Sequence, residues 1–407
     1  MTYYLLPKTS FLIHKYIDCI SNDEQPYTFI SNSLSCYLCE IKEKLDNHEN
    51  EWDVFKKYTN PYEYIHTVVP FKKKSISSYK PLSRSYFKML EIMNTFDINF
   101  GSKSIHSFHL AEGPGGFIEA LCGTRKNKQD VYIGMTILDA VNDPNIPAWK
   151  KSDAFLRNNE NVYVECGADN TGNILELQNF EYCRKMYGSS MDFITADGGF
   201  DFSLDFNKQE ISISKLLFAQ VCFAVTLQKK GGTFVLKIFD CFMEHTVDIL
   251  YILSSFYDKV YITKPQTSRY ANSEKYIVCK DFLFSNNDHF YPFLHSAFQK
   301  MSVVEEDKYV HRFLNIPLSY YFTIKLEEYN AIFGQQQIEN IHYTISLIEN
   351  KQKHEKIDNL IKINIQKCIQ WCMKHNVEYN NLNVTNVFLS STESTIPPLV
   401  HPDSISF

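Results

Sequence analysis

Short apolar segments alternate with helical stretches between residues 81 and 285. The segments predicted as strands are 104–111, 131–135, 161–165, 192–196, 233–239, 259–263 and 275–280. Most of them are continuous apolar runs rather than strict alternations, which is typical of strands buried on both faces of a mostly parallel sheet. The pattern therefore predicts an α/β fold, with a seven-stranded sheet wound on both faces by helices.

Two of the helical stretches have clear boundaries or faces. Residues 83–93 carry apolar side chains on one side, and residues 213–224 form a second apolar stripe. We expect this second helix to end at Lys229-Lys230-Gly231, because cations in the last turn and a glycine after it are common helix stop signals.

The pattern changes on both sides of this region. Residues 1–80 show no clear repeat and are predicted as an N-terminal extension that contacts RNA. Residues 286–380 are predicted as a helical C-terminal region, with long polar helices over 338–351 and 356–375. The last residues, 381–407, are rich in Ser, Thr, Asn and Pro, which predicts an irregular tail.

Charge and cysteine content limit the partners and the compartment. The net charge of −6 excludes a general basic coat for nucleic acid, so any RNA contact has to be local. Lys72, Lys73, Lys74 and Arg84 supply a basic stretch that suits RNA phosphates, although a solvated loop would look the same. The 11 scattered cysteines, without a signal peptide or bilayer-spanning run, favour a reducing compartment, the cytoplasm, with the nucleus as an alternative.

Metal binding is not expected. Cys36 and Cys39 have the spacing of half a zinc site, but a structural zinc needs four ligands and no second pair follows at a suitable distance.

A glycine-rich turn and an acid follow two of the predicted strands. The turn, Gly113 to Gly116, opens a predicted helix, where glycine allows close approach of a ligand and helix amides suit an anion. Asp197 ends another strand, at the edge where ligands bind in open α/β sheets. A plain tight turn and an acid that caps a loop are the structural alternatives.

A lysine inside a strand and a polar loop complete the candidate chemistry. Lys237 lies within an apolar run, and lysine is rarely buried unless it is paired or functional. The loop presents Ser268 and Arg269, which suit phosphate contact, and Glu274 opens the next strand. A structural salt bridge and a solvated connection would give the same patterns.

Together these motifs resemble the FtsJ-like RNA ribose 2′-O-methyltransferases, whose catalytic tetrad is Lys-Asp-Lys-Glu. The resemblance covers about 81–285 and places the tetrad at Lys88, Asp197, Lys237 and Glu274. It implies a Rossmann-like methyltransferase core with S-adenosyl-L-methionine as the cofactor. It also implies a cofactor-binding loop made of Gly113, Pro114, Gly115, Gly116 and Phe117.

Three stretches, 110–118, 167–174 and 264–278, are most similar to the Adrift-type, cap-methylating branch and its relatives in large DNA viruses. Two features depart from the bacterial FtsJ pattern. His109 stands where an Asp often stands, and no acid lies near the end of the second strand to hold the donor's ribose. Substitutes for that acid are Asp139 and Asp169, and the predicted cofactor set is completed by Thr136, Asp139, Asp169 and Asp197.

The resemblance implies methyl transfer to the 2′-hydroxyl of a cap-proximal nucleotide of mRNA. Lys237 would act as the general base or orient the hydroxyl, assisted by Lys88, Asp197 and Glu274. The expected partners are capped RNA and other capping or transcription proteins, and no membrane. Three alternatives remain: a 2′-O-methyltransferase for ribosomal or other RNA, a catalytically silent cap- or RNA-binding subunit, and a small-molecule methyltransferase.

Overall fold

The computed structural model describes residues 1–9, 11–138, 148–199 and 206–381. Its strands are β1 Tyr3–Leu5, β2 Ile17–Asn22, β3 His106–Leu110, β4 Val131–Met135, β5 Val162–Val164, β6 Met191–Ala196, β7 Gln228–Ile238, β8 Tyr257–Thr263, β9 Lys275–Phe282 and β10 Tyr309–Leu314. Its α-helices are α1 Asn32–Glu43, α2 Glu49–Thr59, α3 Ser85–Thr95, α4 Gly116–Arg125, α5 Asp153–Asn158, α6 Leu177–Tyr187, α7 Gln209–Leu227, α8 Glu244–Phe256, α9 Tyr291–Ser302, α10 Tyr320–Glu349 and α11 His354–Lys374.

Eight strands form one mixed sheet in the order β1-β8-β9-β7-β6-β3-β4-β5. Strands β3 to β7 pair in parallel, whereas β9 runs antiparallel between β7 and β8. The α/β prediction is confirmed, and all seven predicted strands are present. The eighth, β1, pairs antiparallel with β8 and was missed because three residues show no readable alternation.

The direction of β9 matters most for the site. Because β9 is antiparallel to β7, its first residues lie beside the last residues of β7, with Lys237 paired to Tyr276 and Ile238 to Lys275. Residues that precede β9 are therefore brought to the same sheet edge as residues that end the parallel strands.

The predicted end of the second helix was wrong. Helix α7 ends at Leu227, and β7 begins at the next residue, so Lys229 and Lys230 belong to the strand rather than to a last helical turn. The chain passes directly from helix to strand because the Gln228 side chain is buried and donates to the carbonyl of Met191 on β6, at 2.8 Å. Gly231 has a φ of 77° and lies where the β6–β7 register shifts.

Helix α7 is the central core helix. By length and composition alone it could cross a membrane, but 83% of its most apolar 18-residue stretch is buried inside the fold. The Phe218 ring stacks on Phe313 of β10 with ring centroids 4.0 Å apart. A second apolar cluster covers the other face of the sheet and includes Met89 of α3 and Phe117 of α4.

Segments from both ends of the chain pack on this core. Strand β10 pairs antiparallel with β2, and Arg312 of β10 donates to both carboxylate oxygens of Asp248 on α8, at 2.9 and 3.0 Å. The predicted helices 338–351 and 356–375 correspond to α10 and α11, which begin 18 and 2 residues earlier and end two residues and one residue earlier, at Glu349 and Lys374. Helix α11 packs on a 3-10 turn, Glu63–Ile65, in the N-terminal part of the chain. The predicted tail lies almost entirely outside the described residues.

Candidate active site

Four elements bring the predicted tetrad to one edge of the sheet. Asp197 directly follows β6, and Lys237 is the penultimate residue of β7. Glu274 directly precedes β9, which starts at this edge because it runs antiparallel. Lys88 lies on α3, which packs against α4 beside the same edge. The structure therefore brings all four residues together.

The tetrad consists of two ion pairs. The Lys88 ammonium lies 2.7 Å from Oε2 of Glu274. The Lys237 ammonium lies 3.2 Å from Oδ1 of Asp197 and also donates to the Asp197 carbonyl at 2.6 Å. All four side chains are only 10–13% exposed. Charges this poorly hydrated are stable only when each has a partner of opposite charge. The attraction within each pair therefore fixes the positions of the four side chains.

Glu274 is the most strongly held member. Burial raises the pKa of its carboxyl group, but the charges of Lys88 and Lys237 and hydrogen bonds from Lys88 and Ser268 outweigh burial and bring it to about 2. The Ser268 hydroxyl donates to Oε1 of Glu274 at 2.7 Å. Ser268, predicted to contact RNA, thus has its hydroxyl directed at the tetrad instead, and its RNA role stays a prediction.

Tyr276 was missed in the sequence and belongs to the same cluster. Its hydroxyl donates to Oδ1 of Asp197 at 3.1 Å, and its ring lies 6.0 Å from the Lys88 ammonium. Glu274 and Tyr276 are two residues apart at the start of a strand, so their side chains point to the same face. That spacing was the available signal.

Lys264, also missed, fixes the backbone that leads to Glu274. Its ammonium donates to the carbonyl of Glu274 at 2.8 Å and to Oδ1 of Asn272 at 3.0 Å. Burial lowers the pKa of Lys264 to about 7, with Lys275 and Lys88 acting in the same direction and Glu274 opposing them. A lysine that directly follows a buried strand and precedes a proline was the sequence signal.

A buried carboxylate from the N-terminal extension holds the same loop from the other side. Glu63, with no exposed side-chain surface, accepts from Arg84 at 2.6 Å and from Arg269 at 2.8 Å. Arg84 also donates to the carbonyl of Thr267 at 2.7 Å. We call Glu63, Arg84 and Arg269 the Glu63 clamp. The two arginines were predicted to bind RNA phosphate. In the structure each is paired with the Glu63 carboxylate, and their contact with RNA stays a prediction.

Glu91 of α3 completes this support. Its carboxylate accepts from the backbone amides of Gln266 and Thr267 at 2.9 and 3.1 Å. The 264–274 loop is therefore tied to α3, to the 3-10 turn and to β9, and Ser268 and Glu274 have little freedom to move.

The predicted cofactor loop is tightly packed by the protein. Gly115 has a φ of 98°, a conformation that favours glycine, and directly precedes α4. A Cβ at Gly113 would lie 2.5 Å from the Ala148 carbonyl oxygen, and one at Gly116 would lie 2.2 Å from Oγ of Ser85. The Phe117 ring is fully buried and lies 6.0 Å from the Tyr276 ring, so it fills the core beneath the site.

A buried polar network beneath this loop was not predicted. Glu112 accepts from the Ile118 amide at 2.9 Å and from the Thr195 hydroxyl at 3.1 Å, and its carboxylate lies 3.2 Å from Nδ1 of His109. Burial raises the pKa of Glu112, against the opposing effect of His109. The network ties the end of β3 to β6 and to the start of α4, so the loop has a fixed position beside Asp197.

The remaining predicted cofactor residues are only partly described. The Asp169 carboxylate accepts from Thr171 and Asn179, at 2.7 and 2.9 Å, and so shapes its own turn. Thr136 is buried beside that turn, where a Cβ at Gly172 would lie 2.1 Å from its carbonyl oxygen. Asp139 lies outside the described residues. Ribose contact by these residues stays a prediction.

The predicted basic stretch of Lys72, Lys73, Lys74 and Arg84 does not form one exposed surface. Lys72, Lys73 and Lys74 are exposed on a loop, whereas Arg84 belongs to the Glu63 clamp. Cys36 and Cys39 are free thiols. Over the described ranges, no group of three or more His, Cys, Asp or Glu side chains is placed to hold a metal ion.

The Glu63 clamp generates a stability prediction. Glu63→Gln removes the charge that balances two mostly buried guanidinium groups, so the free energy of unfolding should fall by about 3 kcal/mol, the scale for breaking a buried pair. Chemical denaturation measures this. The matched control is Glu51→Gln, which breaks the solvent-exposed Lys351–Glu51 pair and should cost about 0.5 kcal/mol. Equal losses in the two variants would contradict the clamp.

The same variant has a predicted pH dependence. Burial raises the pKa of Glu63, but the hydrogen bond from Arg269 and the charges of both arginines bring it down to about 2, from an ordinary value of 4.5. A carboxylate whose pKa is lowered by folding contributes stability above pH 4.5, and this contribution is lost as the pH falls toward 2. The stability difference between wild type and Glu63→Gln should be constant from pH 7 to about pH 5 and shrink below that range.

Comparison with known proteins agrees with this geometry. The family model described as FtsJ-like methyltransferase matches residues 81–282, which include all four tetrad residues. Cap-specific mRNA (nucleoside-2'-O-)-methyltransferase 2 of Pongo abelii is 27% identical over 389 residues, covering 93% of this chain and 49% of that protein. Cap-specific mRNA (nucleoside-2'-O-)-methyltransferase 1 of Dictyostelium discoideum is 30% identical over 309 residues, covering 68% of this chain and 37% of that protein.

A shorter match is more similar. Cap-specific mRNA (nucleoside-2'-O-)-methyltransferase 1 of Mus musculus is 36% identical over 190 residues, covering 43% of this chain and 22% of that protein. The chain thus spans about half, or less, of the length of these relatives. The family match covers seven of the eight strands of the central sheet, the cofactor loop and the tetrad, and the chain therefore contains a methyltransferase domain of the FtsJ-like family.

Proposed function

We propose that the chain methylates the ribose 2′-hydroxyl of a cap-proximal nucleotide in capped mRNA. The observation that carries the proposal is the buried cluster of two ion pairs, Lys88–Glu274 and Lys237–Asp197, at the ligand-binding edge of the sheet. The names of the related proteins, which specify the mRNA cap, support capped mRNA as the substrate over ribosomal RNA. An intact tetrad favours an enzyme over a silent RNA-binding subunit.

The residues present fit S-adenosylmethionine, the methyl donor of this family. The glycine loop between β3 and α4 lies at a helix amino terminus, where backbone amides suit a carboxylate. Gly113, Gly115 and Asp197 would hold the donor, with the Glu112 network fixing the loop from below. When bound, the donor supplies an electrophilic methyl group.

The chain's own residues then prepare the hydroxyl. Lys237 orients the 2′-hydroxyl or, as the neutral amine, accepts the proton that the hydroxyl loses as its oxygen bonds to the methyl group. Asp197 fixes the lysine through its carbonyl and carboxylate. Glu274 holds Lys88 beside the site, where its ammonium contacts nearby phosphate. A free ribose hydroxyl is a poor nucleophile, so alignment by rigid groups contributes as much as proton removal.

Further partners and location complete the proposal. Other capping or transcription proteins are proposed as partners, because cap-proximal ribose methylation acts on the product of cap synthesis. A reducing compartment, the cytoplasm, is proposed because all eleven cysteines are free thiols.

Lys237 is the residue on which the mechanism depends. Lys237→Ala should lower the turnover number by at least about 100-fold, the lower end for loss of a general base, while donor affinity stays nearly unchanged. Methyl transfer to capped RNA and calorimetry with the donor measure the two quantities. Lys259→Ala, at an exposed lysine on β8, is the control and should be fully active. Retention of more than about a tenth of the activity would exclude this role for Lys237.

The cofactor loop is tested by a pair of glycine variants. Gly115→Ala forces a side chain into a positive φ and to within 3.0 Å of the Trp149 ring, so donor affinity should fall by about tenfold or more. Gly231→Ala carries a similar backbone cost at φ 77°, with nothing within 4 Å of the added Cβ. Calorimetry should show donor affinity lost only in the first variant. Equal affinities would place the donor elsewhere.

The exposed lysines are tested by the salt dependence of RNA binding. Replacing Lys72, Lys73 and Lys74 with Ala should weaken RNA binding. The plot of log affinity against log salt should also become less steep by about 2, because each lost phosphate contact on a single strand contributes about 0.7 to the slope. Donor affinity should not change.

The matched control removes three exposed lysines at the opposite edge of the sheet. Lys103, Lys126 and Lys128 lie in the loops that precede β3 and β4, away from the tetrad. Their replacement with Ala should leave the slope as in the wild type. An unaltered slope in the first triple variant would show that its lysines are only solvated.

A further inference from the structure

The tip of the loop between the 3-10 turn and α3 carries an unusual aromatic residue. Phe71 is 96% exposed, the largest exposed fraction among the large hydrophobic side chains in the part of the chain that the structure describes. It directly precedes Lys72, Lys73 and Lys74, which are exposed as well. A ring that stays in water contributes almost nothing to the hydrophobic stabilisation of the fold, so its apolar surface is available to a ligand.

The backbone at Phe71 adds a second, independent observation. Its φ is 61°, in the left-handed region that favours glycine. The Lys72 amide donates to the Val69 carbonyl at 3.0 Å, with Pro70 second and Phe71 third in the turn. This is the pattern of a type II turn, whose third position normally holds Gly or Asn. The fold therefore tolerates backbone strain in order to present this ring, and such strain tends to occur at functional sites.

The base of the loop is rigid although its tip is exposed. The Val69 amide donates to the Lys74 carbonyl at 3.1 Å, which closes the loop. Val69 and Ile76 are buried in the core, and the Ile76 amide donates to the Tyr64 carbonyl at 2.8 Å. Tyr64 belongs to the same 3-10 turn as Glu63, whose carboxylate binds Arg84 and Arg269 beside the active-site loop. The tip is thus mounted on the scaffold that supports the tetrad.

We propose that Phe71 stacks on an unpaired base of single-stranded RNA while Lys72, Lys73 and Lys74 contact the adjacent phosphates. This inference rests on the proposed RNA substrate and adds a base-binding element outside the reacting nucleotide. Aromatic rings stack on any base, and nearby lysines attract the backbone, which is the combination that single-strand binding surfaces use. Three consecutive lysines on a chain of net charge −6 favour a polyanion as the occupant.

The first experiment measures the contact without turnover. In Phe71→Trp, addition of a short, unstructured, uncapped RNA should quench the fluorescence of the new tryptophan above the background of the native ones. Tyr320→Trp, at another highly exposed aromatic position, is the control and should not respond. Quenching by RNA in a protein that transfers no methyl group to capped RNA in a parallel assay would contradict the proposed function but support the surface. No quenching by RNA, or a response only to anionic lipid vesicles, would overturn the surface.

The second experiment separates binding from folding. Phe71→Gly removes the ring and also suits the positive φ, so its thermal midpoint should equal or exceed that of the wild type. Its RNA dissociation constant should rise about fivefold or more, the lower range for one stacked base. Phe71→Leu keeps an apolar side chain without a ring and should lose affinity similarly, whereas Phe71→Trp should retain it. Wild-type RNA affinity in Phe71→Gly would overturn the proposal.

Discussion

The ion pair between Lys88 and Glu274 is the interaction on which the site depends. It joins α3 to the residue before β9, two elements that are 186 residues apart in the sequence, at a distance of 2.7 Å in a nearly dry environment. A buried charge without its partner costs several kcal/mol, so neither residue is replaceable alone without loss of the other's position. Ser268, Lys264 and Glu91 then hold the loop that carries Glu274.

The mixed sheet makes this pair possible. If β9 ran parallel to β7, Glu274 would lie at the opposite edge of the sheet, away from Asp197 and Lys237. The antiparallel insertion of β9 between β7 and β8 places the start of one strand beside the ends of the others. It also brings Tyr276 opposite Lys237 in the register, where its hydroxyl can hold Asp197. The direction of β9 thus places the carboxylate of Glu274 beside Asp197 and Lys237.

Local pattern predicted seven of the eight strands of the central sheet, and the resemblance to the FtsJ-like family identified the four tetrad residues that the structure brings together. Continuous apolar runs identify buried parallel strands whatever surrounds them, and glycine, aspartate and lysine at strand ends mark a ligand-binding edge. Pairings between distant residues were not readable. Arg84 and Arg269 look like free cations in the sequence because their shared carboxylate, Glu63, lies 21 and 206 residues away. The end of α7 was misplaced because local stop signals compete with burial of Gln228 in the sheet.

The flanks are more closely involved in the site than their sequence suggests. The N-terminal extension supplies Glu63 to the active-site loop and the exposed Phe71 tip to the solvent side. It also supplies β1 to the edge of the central sheet, where three of its residues pair antiparallel with three residues of β8. Helix α11 packs on the turn that carries Glu63, so the C-terminal helices support the same region. The Phe71 tip, proposed to bind RNA, and the tetrad therefore share one scaffold, built from both ends of the chain.

The most direct test of the account is to map where the chain places a methyl group. The protein would be incubated with isotope-labelled S-adenosylmethionine and short capped RNAs whose 2′-hydroxyl is blocked at the first or at the second transcribed nucleotide, beside matched uncapped RNAs. Mass spectrometry of the digested RNA locates the label. We expect label on a ribose 2′-oxygen of one cap-proximal nucleotide, and this label should be lost when that hydroxyl is blocked and weaker without the cap. Label on a base, on internal riboses irrespective of the cap, or on no RNA at all would contradict it.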